Sequence, residues 1–318
     1  MYPVLRSLRF YLLLFTFYLL PFTCLYAQSD NLLRDLLWKD FLALNSKRPK
    51  IAVVLGGGGA RGLSHIGVLK VLQENNIPTD IIVGTSAGAL VGGLYATGMA
   101  ITDIERIGTD IGWNKISNLS ATKLLTLITA ESLLSTEKLE KYLEKHIRQK
   151  RFDELKISFA CIACDIKTGE RIVFKEGEAA FAMRASAIIP GLFKPVEYRH
   201  RLLVDGGLVD NLPIDIAKVM AADFVIAVWP QVDYSLFNID NVMKTLIQAI
   251  NIQAGFLVSN QIKNADFVII PNIKNVSMIE LDRSAECIEA GLVATRSKAN
   301  AIKDKILEKF IDKIVFLK

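Results

Sequence analysis

One serine of the chain stands in a setting that favours covalent chemistry. The pentapeptide 84–88, GTSAG, fits the pattern G-x-S-x-G and lies between the apolar run 77–83 and a stretch with helical spacing. Such a turn holds its serine in a strained backbone conformation and exposes the hydroxyl oxygen. Gly84 and Gly88 leave room for the neighbouring strand and helix. The pattern therefore predicts Ser86 as a nucleophile; the alternative is a glycine-rich turn with a capping serine.

A serine hydroxyl is a weak nucleophile and needs a base to activate it. The chain has three histidines, His65, His146 and His200. None of them follows residue 200, so the usual order of serine, acid and histidine fails for any acid beyond that point. A triad through one of the two later histidines is not excluded by the sequence, but both lie in charged surroundings. The base is therefore sought among the carboxylates.

Asp205 is the strongest candidate for the base. It ends the apolar strand 201–204, and Gly206 and Gly207 follow it. In a parallel sheet the C-terminal end of a strand is where such folds place their chemistry, and the glycines let the backbone turn without blocking a cleft. The alternative is an ordinary Asp-Gly turn.

The glycine run 56–59 supplies a third candidate feature. It follows the apolar run 50–55, and consecutive glycines between a strand and a helix leave backbone N–H groups free to face a ligand. We expect the amides of Gly57, Gly58 and Gly59 to form an oxyanion hole for acyl transfer, with Gly62 supporting the loop. Arg61 either braces this loop, attracts a phosphate or forms a structural salt bridge.

The same loop also matches a dinucleotide fingerprint, G-x-G-x-x-G, at positions 57–62. This raises an alternative from another class, a nucleotide-binding oxidoreductase. The fingerprint requires an acidic residue about 20 positions further on, at the end of the second strand. Asp80 has roughly that spacing, but it begins the strand, which ends at the serine turn. The sequence therefore favours a hydrolase.

The order of predicted elements indicates an α/β fold with a mainly parallel sheet. Strands are expected at 50–55, 77–83, 157–165, 171–174, 201–204, 223–228 and 267–270. Helices are expected at 60–75, from 87 to about 98, at 178–187, at 239–262 and, as one long helix, from 284 onward. Residues 100–151 are largely helical by periodicity, and we expect this stretch to cap the cleft as a lipid-facing lid. No internal repeat or linker divides the chain.

The N-terminus has the form of an export signal. Arg6 and Arg9 precede the apolar run 10–23, which is shorter than the roughly 20 residues of a spanning helix. The alternatives are an uncleaved anchor and a lipidated Cys24. We expect a signal peptide at 1–27, a leader at 28–49 and one domain at 50–318, with a core at 50–230 and a C-terminal helical extension at 231–318. The protein is expected to be exported, periplasmic or secreted, with membrane association left open.

Cysteine usage and charge exclude several kinds of site. Cys161 and Cys164 form a CxxC inside an apolar strand, where side chains three apart point to opposite faces, so we expect buried structural cysteines. No zinc-ligand spacing occurs. The formal net charge of +5 includes Arg6 and Arg9 of the signal, so the remainder is mildly basic and compatible with an anionic lipid surface. We expect no metal, no cofactor and no nucleic-acid partner.

Three motifs in this order resemble the patatin-like phospholipases. They are the glycine loop 57–62, the serine turn 84–88 and the Asp-Gly-Gly turn 205–207. The segment 185–190, ASAIIP, and the Asp165-x-x-Thr168-Gly169 turn are similar to further landmarks of that family. The resemblance covers residues 50–230 firmly and the C-terminal helices loosely.

This resemblance implies a three-layer α/β/α patatin-like fold and a Ser86–Asp205 dyad with backbone amides near Gly57–Gly59 as the oxyanion hole. It implies metal-independent hydrolysis of acyl esters, as a phospholipase A or lysophospholipase, with an acyl-enzyme intermediate. Phospholipids or other acyl-ester lipids are then the substrates, and a membrane surface is a peripheral partner. A free aspartate has a pKa of about 3.9 and is a feeble base, so we expect the site to exclude water around Asp205. The alternative is a non-catalytic lipid- or protein-binding module on a hydrolase scaffold.

Overall fold

The computed structural model describes residues 31–112, 135–231, 233, 235, 237–273 and 275–316. The predicted signal peptide 1–27 lies outside the described residues, as does the middle of the predicted lid, 113–134. Residues 49–300 form one compact unit, and residues 31–48 group with 301–316. The boundaries of signal, leader and domain stay predictions.

Eight strands of the described chain form one sheet. They are β1 (Ile51–Leu55), β2 (Ile81–Thr85), β3 (Ser158–Asp165), β4 (Arg171–Phe174), β5 (Val196–Tyr198), β6 (Arg201–Asp205), β7 (Phe224–Val228) and β8 (Phe267–Ile269). Their order is β5-β6-β3-β2-β1-β7-β8, and β4 pairs with β3. The pairs joining β3, β2, β1, β7 and β8 are parallel. The prediction of a mainly parallel central sheet is confirmed.

The described helices follow in chain order, and those within residues 49–300 lie on both faces of this sheet. A helix over residues 31–43 (α1) is followed by α2 (Ser64–Glu74), α3 (Ala87–Ala96), α4 (Ile101–Asp110), α5 (Glu137–Ile147), α6 (Ala179–Ser186), α7 (Ile214–Val219), α8 (Val242–Gln261), α9 (Ser284–Arg296) and α10 (Ala299–Phe316).

The two faces of the sheet pack against different helices. On one face Ala52, Val54 and Val225 join a cluster with Ile216 of α7 and Val258 of α8. On the opposite face Gly92 of α3 lies against the side chains of Leu55 and Ile82. These continuous apolar strands are fully buried, as expected of parallel strands covered on both faces. The three-layer α/β/α architecture is confirmed.

Two sequence-based expectations about elements are wrong. The predicted single helix from residue 284 is two helices, since α9 ends at Arg296 and α10 begins at Ala299. No glycine or proline marks this break, so local sequence gave no signal for it. The strand predicted at 77–83 begins only at Ile81 because Pro78 stands within its expected start and Asp80 accepts a hydrogen bond from the N–H of Ile51.

Candidate active site

The serine turn joins β2 directly to α3. Ser86 has φ 56° and ψ −125°, a left-handed conformation that is strained for any residue with a side chain. The backbone therefore turns sharply at Ser86 as it leaves the strand. The side chain of Ser86 reaches the two pockets that meet here. Ser86 is 7% exposed, so its hydroxyl is accessible only through the cleft.

The glycines flanking Ser86 are required by close packing. A Cβ on Gly84 would lie 2.5 Å from the carbonyl oxygen of Gly88, and a Cβ on Gly88 would collide with the carbonyl of Leu55. Strand β2, helix α3 and strand β1 therefore approach as closely as backbones allow, which holds the turn rigid. The same lack of space holds for the other predicted supporting glycines, Gly62 against Ala87, Gly206 against Ile162 and Gly207 against Asn211.

The hydroxyl of Ser86 donates a hydrogen bond to Oδ2 of Asp205 over 2.5 Å. This short contact is the closest approach of two reactive groups that the sequence singled out. The second carboxylate oxygen, Oδ1, accepts the N–H of Gly207 at 2.8 Å. The carboxylate is thus fixed at both oxygens, with one of them presented to the nucleophile.

The strand that carries Asp205 differs from the expected one. We expected Asp205 at the C-terminal end of a parallel strand, but β6 pairs antiparallel with β3. What aligns the two residues is register: Asp205 lies opposite Ala163 of β3, and Thr85, just before the nucleophile, lies opposite Ile162. Strand β6, which runs antiparallel to β2 and β3, thus ends beside the serine turn.

Burial changes the acid strength of Asp205. The residue is 8% exposed, and removal from water raises its pKa to about 6, although the hydrogen bonds from Ser86 and Gly207 act in the opposite direction. No described lysine, arginine or histidine forms an ion pair with it. The carboxylate is thus largely removed from solvent, although it lines the cleft at Ser86.

The glycine loop lies beside the serine, with its N–H groups in different roles. The N–H of Gly57 donates to the carbonyl of Asn211 at 3.3 Å, so this predicted oxyanion donor already has an acceptor. The N–H groups of Gly58 and Gly59 make no hydrogen bond with any described residue. A Cβ on Gly57 would lie 3.1 Å from that of Ser86, which shows how closely the loop passes the nucleophile.

Arg61 and His65 hold the glycine loop from behind. Arg61 is 3% exposed; its Nε donates to the carbonyl of Gly58 at 3.2 Å, and its Nη2 donates to Oδ1 of Asn251 at 2.7 Å. These two hydrogen bonds brace the loop, which is one of the three roles weighed for Arg61. His65 is buried, and its Nε2 lies 2.7 Å from the carbonyl of Gly56; burial lowers its pKa to about 4, so the ring is neutral and donates.

Two residues near Ser86 escaped the sequence analysis as site residues. The hydroxyl of Ser186, at the end of α6, accepts the N–H of Ser86 at 2.9 Å and so fixes the backbone of the nucleophile. Asn211 is 2% exposed, accepts the N–H of Gly57 with its carbonyl and lines the cleft with its side chain. Ser186 falls within the ASAIIP segment, so a signal existed; for Asn211 there was none.

An apolar pocket begins at Ser86. It encloses about 100 Å³ and is lined by aliphatic side chains of α2, α3, α4 and α5. Among them are Leu90, Ile104, Ile107 and Leu139. The described parts of the predicted lid, α4 and α5, therefore form walls of this pocket. The lid hypothesis itself stays a prediction.

A second, smaller cleft also meets Ser86. It is lined by Asp205, Arg61, Asn211 and Trp229, and by Asn251 of α8. Its walls carry charged and amide groups, whereas the first pocket is almost wholly apolar. Ser86 therefore lies where two pockets meet, and charged and amide side chains occur in the lining of the second.

Other kinds of site are not found in the described part of the chain. His146 lies on α5 and His200 in the turn between β5 and β6, and neither lines the pockets at Ser86. Cys161 and Cys164 are buried and unpaired in β3. No group of three or more histidine, cysteine or acidic side chains among these residues is arranged to hold a metal. None of the described helices has the length and apolar character needed to cross a bilayer.

The chain is similar in sequence to patatin-like phospholipases. The model of the patatin-like phospholipase family matches residues 53–218, just over half of the chain. The chain is 40% identical over 180 residues to a patatin-like phospholipase domain-containing protein of Caenorhabditis elegans, covering 56% of this chain and 13% of that protein. It is 34% identical over 209 residues to Lysophospholipase NTE1 of Kluyveromyces lactis, covering 64% of this chain and 14% of that protein. The chain thus spans about one seventh of the length of these two relatives. Among solved structures, VipD from Legionella pneumophila aligns with 80% of this chain and 67% of its own, at 16% identity and a TM-score of 0.49.

Proposed function

Because this chain belongs to the patatin-like phospholipase family, we propose that it hydrolyses acyl esters of lipids, with Ser86 as nucleophile and Asp205 as base. The observation that supports this most directly is the 2.5 Å hydrogen bond from the Ser86 hydroxyl to the Asp205 carboxylate. A nucleophile and its base must lie within hydrogen-bond reach, and these two do.

The proposed reaction has two halves. Ser86 Oγ attacks the ester carbonyl and its proton passes to Asp205, which returns it to the departing alcohol as the acyl-enzyme forms. Asp205 then takes a proton from water, the hydroxide attacks the acyl-enzyme, and the proton returns to Ser86 Oγ as the fatty acid leaves. The negative oxygen of each tetrahedral intermediate is held by the N–H groups of Gly58 and Gly59, the two amides of the loop without another acceptor.

The raised pKa of Asp205 makes a one-carboxylate base reasonable. A base with a pKa nearer the working pH accepts a proton more readily, and burial raises that of Asp205 to about 6. Because no described cation neutralises the carboxylate, its basicity is retained. The hydrogen bond from Gly207 keeps it oriented.

The substrate side follows from the apolar pocket. An acyl chain attached to the carbonyl at Ser86 has an aliphatic pocket of about 100 Å³ immediately beside it. Burial of methylene groups is worth about 0.8 kcal/mol each, so a chain of several carbons binds there far better than an acetyl group. We therefore propose phospholipid-type or other lipid acyl esters as substrates, in agreement with the name of the Kluyveromyces lactis relative, a lysophospholipase.

The direct test compares the purified protein with a Ser86→Ala variant on a long-chain nitrophenyl ester and on phospholipid vesicles, with a chelator present. The proposal requires hydrolysis by the parent, indifferent to chelator, and a loss on the order of 10³-fold or more in Ser86→Ala. Ser259→Ala is the matched control, because Ser259 lies on the exposed side of α8 and lines neither pocket at Ser86. Equal activity in parent and Ser86→Ala would contradict the proposal.

The non-catalytic binding module is the competing function. It predicts lipid binding without turnover, so a folded parent that binds vesicles but hydrolyses no ester would favour it. A buried carboxylate with a raised pKa against a strained serine is costly for a mere binding protein, which supports the enzyme.

We also propose export and peripheral membrane attachment. Support comes from the basic and apolar pattern of residues 1–27 and from the lipid nature of the proposed substrate. N-terminal sequencing of protein recovered from the fraction outside the cytoplasm should begin near Gln28. Recovery of an intact Met1 terminus in the cytoplasm would count against export.

A further inference from the structure

The end of α6 contacts the backbone of both proposed reactive residues. The hydroxyl of Ser186, the last residue of this helix, accepts the N–H of Ser86 at 2.9 Å. Two residues further on, the carbonyl of Ile188 accepts the N–H of Asp205 at 2.8 Å. We call residues 186–188 the bridging segment. The nucleophile and its base are 119 residues apart in the chain, and this short segment binds both of them.

The N–H of Ser86 depends on a side chain for its acceptor. The pairing of β2 with β3 ends at Thr85, and the positive φ of Ser86 turns the backbone away from the sheet. Ser86 also precedes the first residue of α3, so its N–H has no acceptor within that helix. A buried N–H without an acceptor is costly. The hydroxyl of Ser186, a residue with no solvent exposure, supplies the acceptor.

Packing holds the bridging segment in place before and after Ser186. A Cβ on Gly93 of α3 would lie 2.5 Å from Sδ of Met183, so α6 packs closely against the helix that follows the nucleophile. Beyond α6, Ile188 is fully buried in an apolar cluster that includes Val204, the residue before the base. Two acceptors on a segment fixed in this way determine where the backbones of nucleophile and base lie.

The geometry between the two reactive groups leaves little room for displacement. Ser86 Oγ and Asp205 Oδ2 lie 2.5 Å apart, and the backbone of Ser86 has a φ of 56°. A strained conformation of this kind persists only where its surroundings enforce it. Without the acceptor at Ser186 the turn relaxes, and the hydroxyl of Ser86 moves away from the carboxylate. A displacement of about 1 Å between reacting groups can cost about 10²-fold in rate.

These observations rest on the proposed function and deepen it. We propose that Ser186 is a positioning residue for Ser86 and that the bridging segment sets the distance between the nucleophile and its base. Ser186 lines neither pocket at Ser86, so it acts through the backbone of the nucleophile and not by contact with the substrate. Its effect is made in the transition state, where the proton passes to Asp205, so its loss should lower kcat and leave KM nearly unchanged.

The test compares two variants of Ser186 on a long-chain nitrophenyl ester. Ser186→Ala removes the acceptor, and Ser186→Cys nearly keeps the volume of the side chain but provides only a weak acceptor. We expect both variants to lower kcat by about 10- to 100-fold. Ser64→Ala is the matched control and should keep a kcat near that of the parent. Ser64 is also fully buried, but its hydroxyl makes no hydrogen bond with any described residue.

The pH dependence of kcat/KM is a readout that a loss of stability alone does not move. Burial raises the pKa of Asp205 to about 6, and the hydrogen bond from Ser86 acts against that rise. In Ser186→Ala this opposing contribution is lost, so the pH below which activity falls should shift upward from about 6, whereas Ser64→Ala should keep the parental profile. Cys164 also interacts with Asp205, but burial raises the pKa of this thiol to about 11, so it stays protonated throughout.

The outcomes separate the positioning role from the proposed chemistry. Hydrolysis by the parent that is lost in Ser86→Ala establishes the chemistry without any change at Ser186. Folded Ser186→Ala and Ser186→Cys proteins that keep the parental kcat and pH profile would then overturn the positioning role. Where Ser186→Ala does not fold, Ser186→Cys, which nearly keeps the volume, carries the same test.

A crystal structure of Ser186→Ala gives a readout that does not depend on turnover. The distance from Ser86 Oγ to the nearer carboxylate oxygen of Asp205 should exceed the roughly 3.0 Å reach of an O–H···O hydrogen bond. Retention of the short contact found in the parent would overturn the positioning role even where ester hydrolysis is intact.

Discussion

Two buried aspartates five residues apart have different partners in this fold. Asp205 is 8% exposed and faces the hydroxyl of Ser86, with no described cation beside it. Asp210 is 1% exposed and is held by Nη1 of Arg171 at 2.5 Å and by Nε2 of Gln261 at 2.6 Å. Burial raises the pKa of both carboxyls, but only at Asp210 does an arginine act against it. At Asp210 the arginine makes the buried carboxylate a structural tie, whereas Asp205, with no described cation beside it, is the carboxylate that we propose as the base.

The surroundings of Asp210 show what its tie accomplishes. Arg171 lies on β4, Gln261 ends α8, and the backbone carbonyl of Asp210 accepts the hydroxyl of Thr85 at 3.0 Å. The residue thus links the sheet, the helix that carries Asn251 and the strand end before Ser86. It supports the site without touching the reacting atoms.

The largest expected difference concerns activity. Asp205→Asn retains the shape of the side chain but cannot accept the proton of Ser86, so kcat/KM on a long-chain nitrophenyl ester should fall on the order of 10³-fold or more. Asp210→Asn should stay within about tenfold of the parent, because its carboxylate takes no part in the reaction. The claim that the two aspartates have different roles would be contradicted if Asp210→Asn were as inactive as Asp205→Asn while still folded by circular dichroism.

Asp210→Asn should lower the free energy of unfolding although it leaves activity nearly unchanged. Asp210→Asn leaves Arg171 without its buried partner, but this arginine is 37% exposed and regains water, so a loss of about 1–3 kcal/mol is expected. Denaturant unfolding of parent and variant at neutral pH measures it. Arg171→Met, which removes the cation instead, should also destabilise; an unchanged free energy of unfolding in both variants would show that the pair is not a structural tie.

The pH dependence of kcat/KM tests the role of Asp205. The proposed mechanism requires the ionised form of Asp205, whose pKa is raised to about 6, so kcat/KM should be constant above that pH and fall about tenfold per unit below it. Nitrophenyl-ester hydrolysis between pH 4.5 and 8.5, corrected for stability, tests this. A profile that stays flat down to pH 4.5 would mean that the base has the pKa of an ordinary aspartate.

The smallest effect is a gain in stability when the base is removed. A carboxyl whose pKa is raised in the folded state destabilises the fold at pH values where it must ionise, and not where it is protonated in both states. Asp205→Asn should therefore raise the free energy of unfolding by about 1 kcal/mol or more at pH 8, equivalent to a few degrees in Tm, with no gain near pH 4. A loss of stability at pH 8 would contradict the assigned environment of the carboxylate.

The sequence predicted the architecture, and it singled out Ser86 and Asp205, which the structure brings within hydrogen-bond distance, because both depend on local patterns. Glycines around Ser86 and after Asp205 are required by close backbone approach, and they are visible as motifs. What could not be predicted are contacts between distant segments: Ser186 on the backbone of the nucleophile, Asn251 on Arg61, and Arg171 on Asp210. Asp205 and Asp210 both follow apolar segments, so the local sequence does not show that Arg171 pairs with the second and Ser86 with the first. The antiparallel direction of β6 could not be predicted either, because strand direction follows from pairing and not from composition.

Covalent labelling tests the central claim most directly. The purified protein is incubated with a long-chain fluorophosphonate, and the modified residue is located by peptide mass spectrometry in the parent and in Asp205→Asn. The account predicts one stoichiometric adduct on Ser86 in the parent and much slower labelling of the same residue in Asp205→Asn. An adduct on another serine, or equally fast labelling of Ser86 in both proteins, would contradict activation of Ser86 by Asp205.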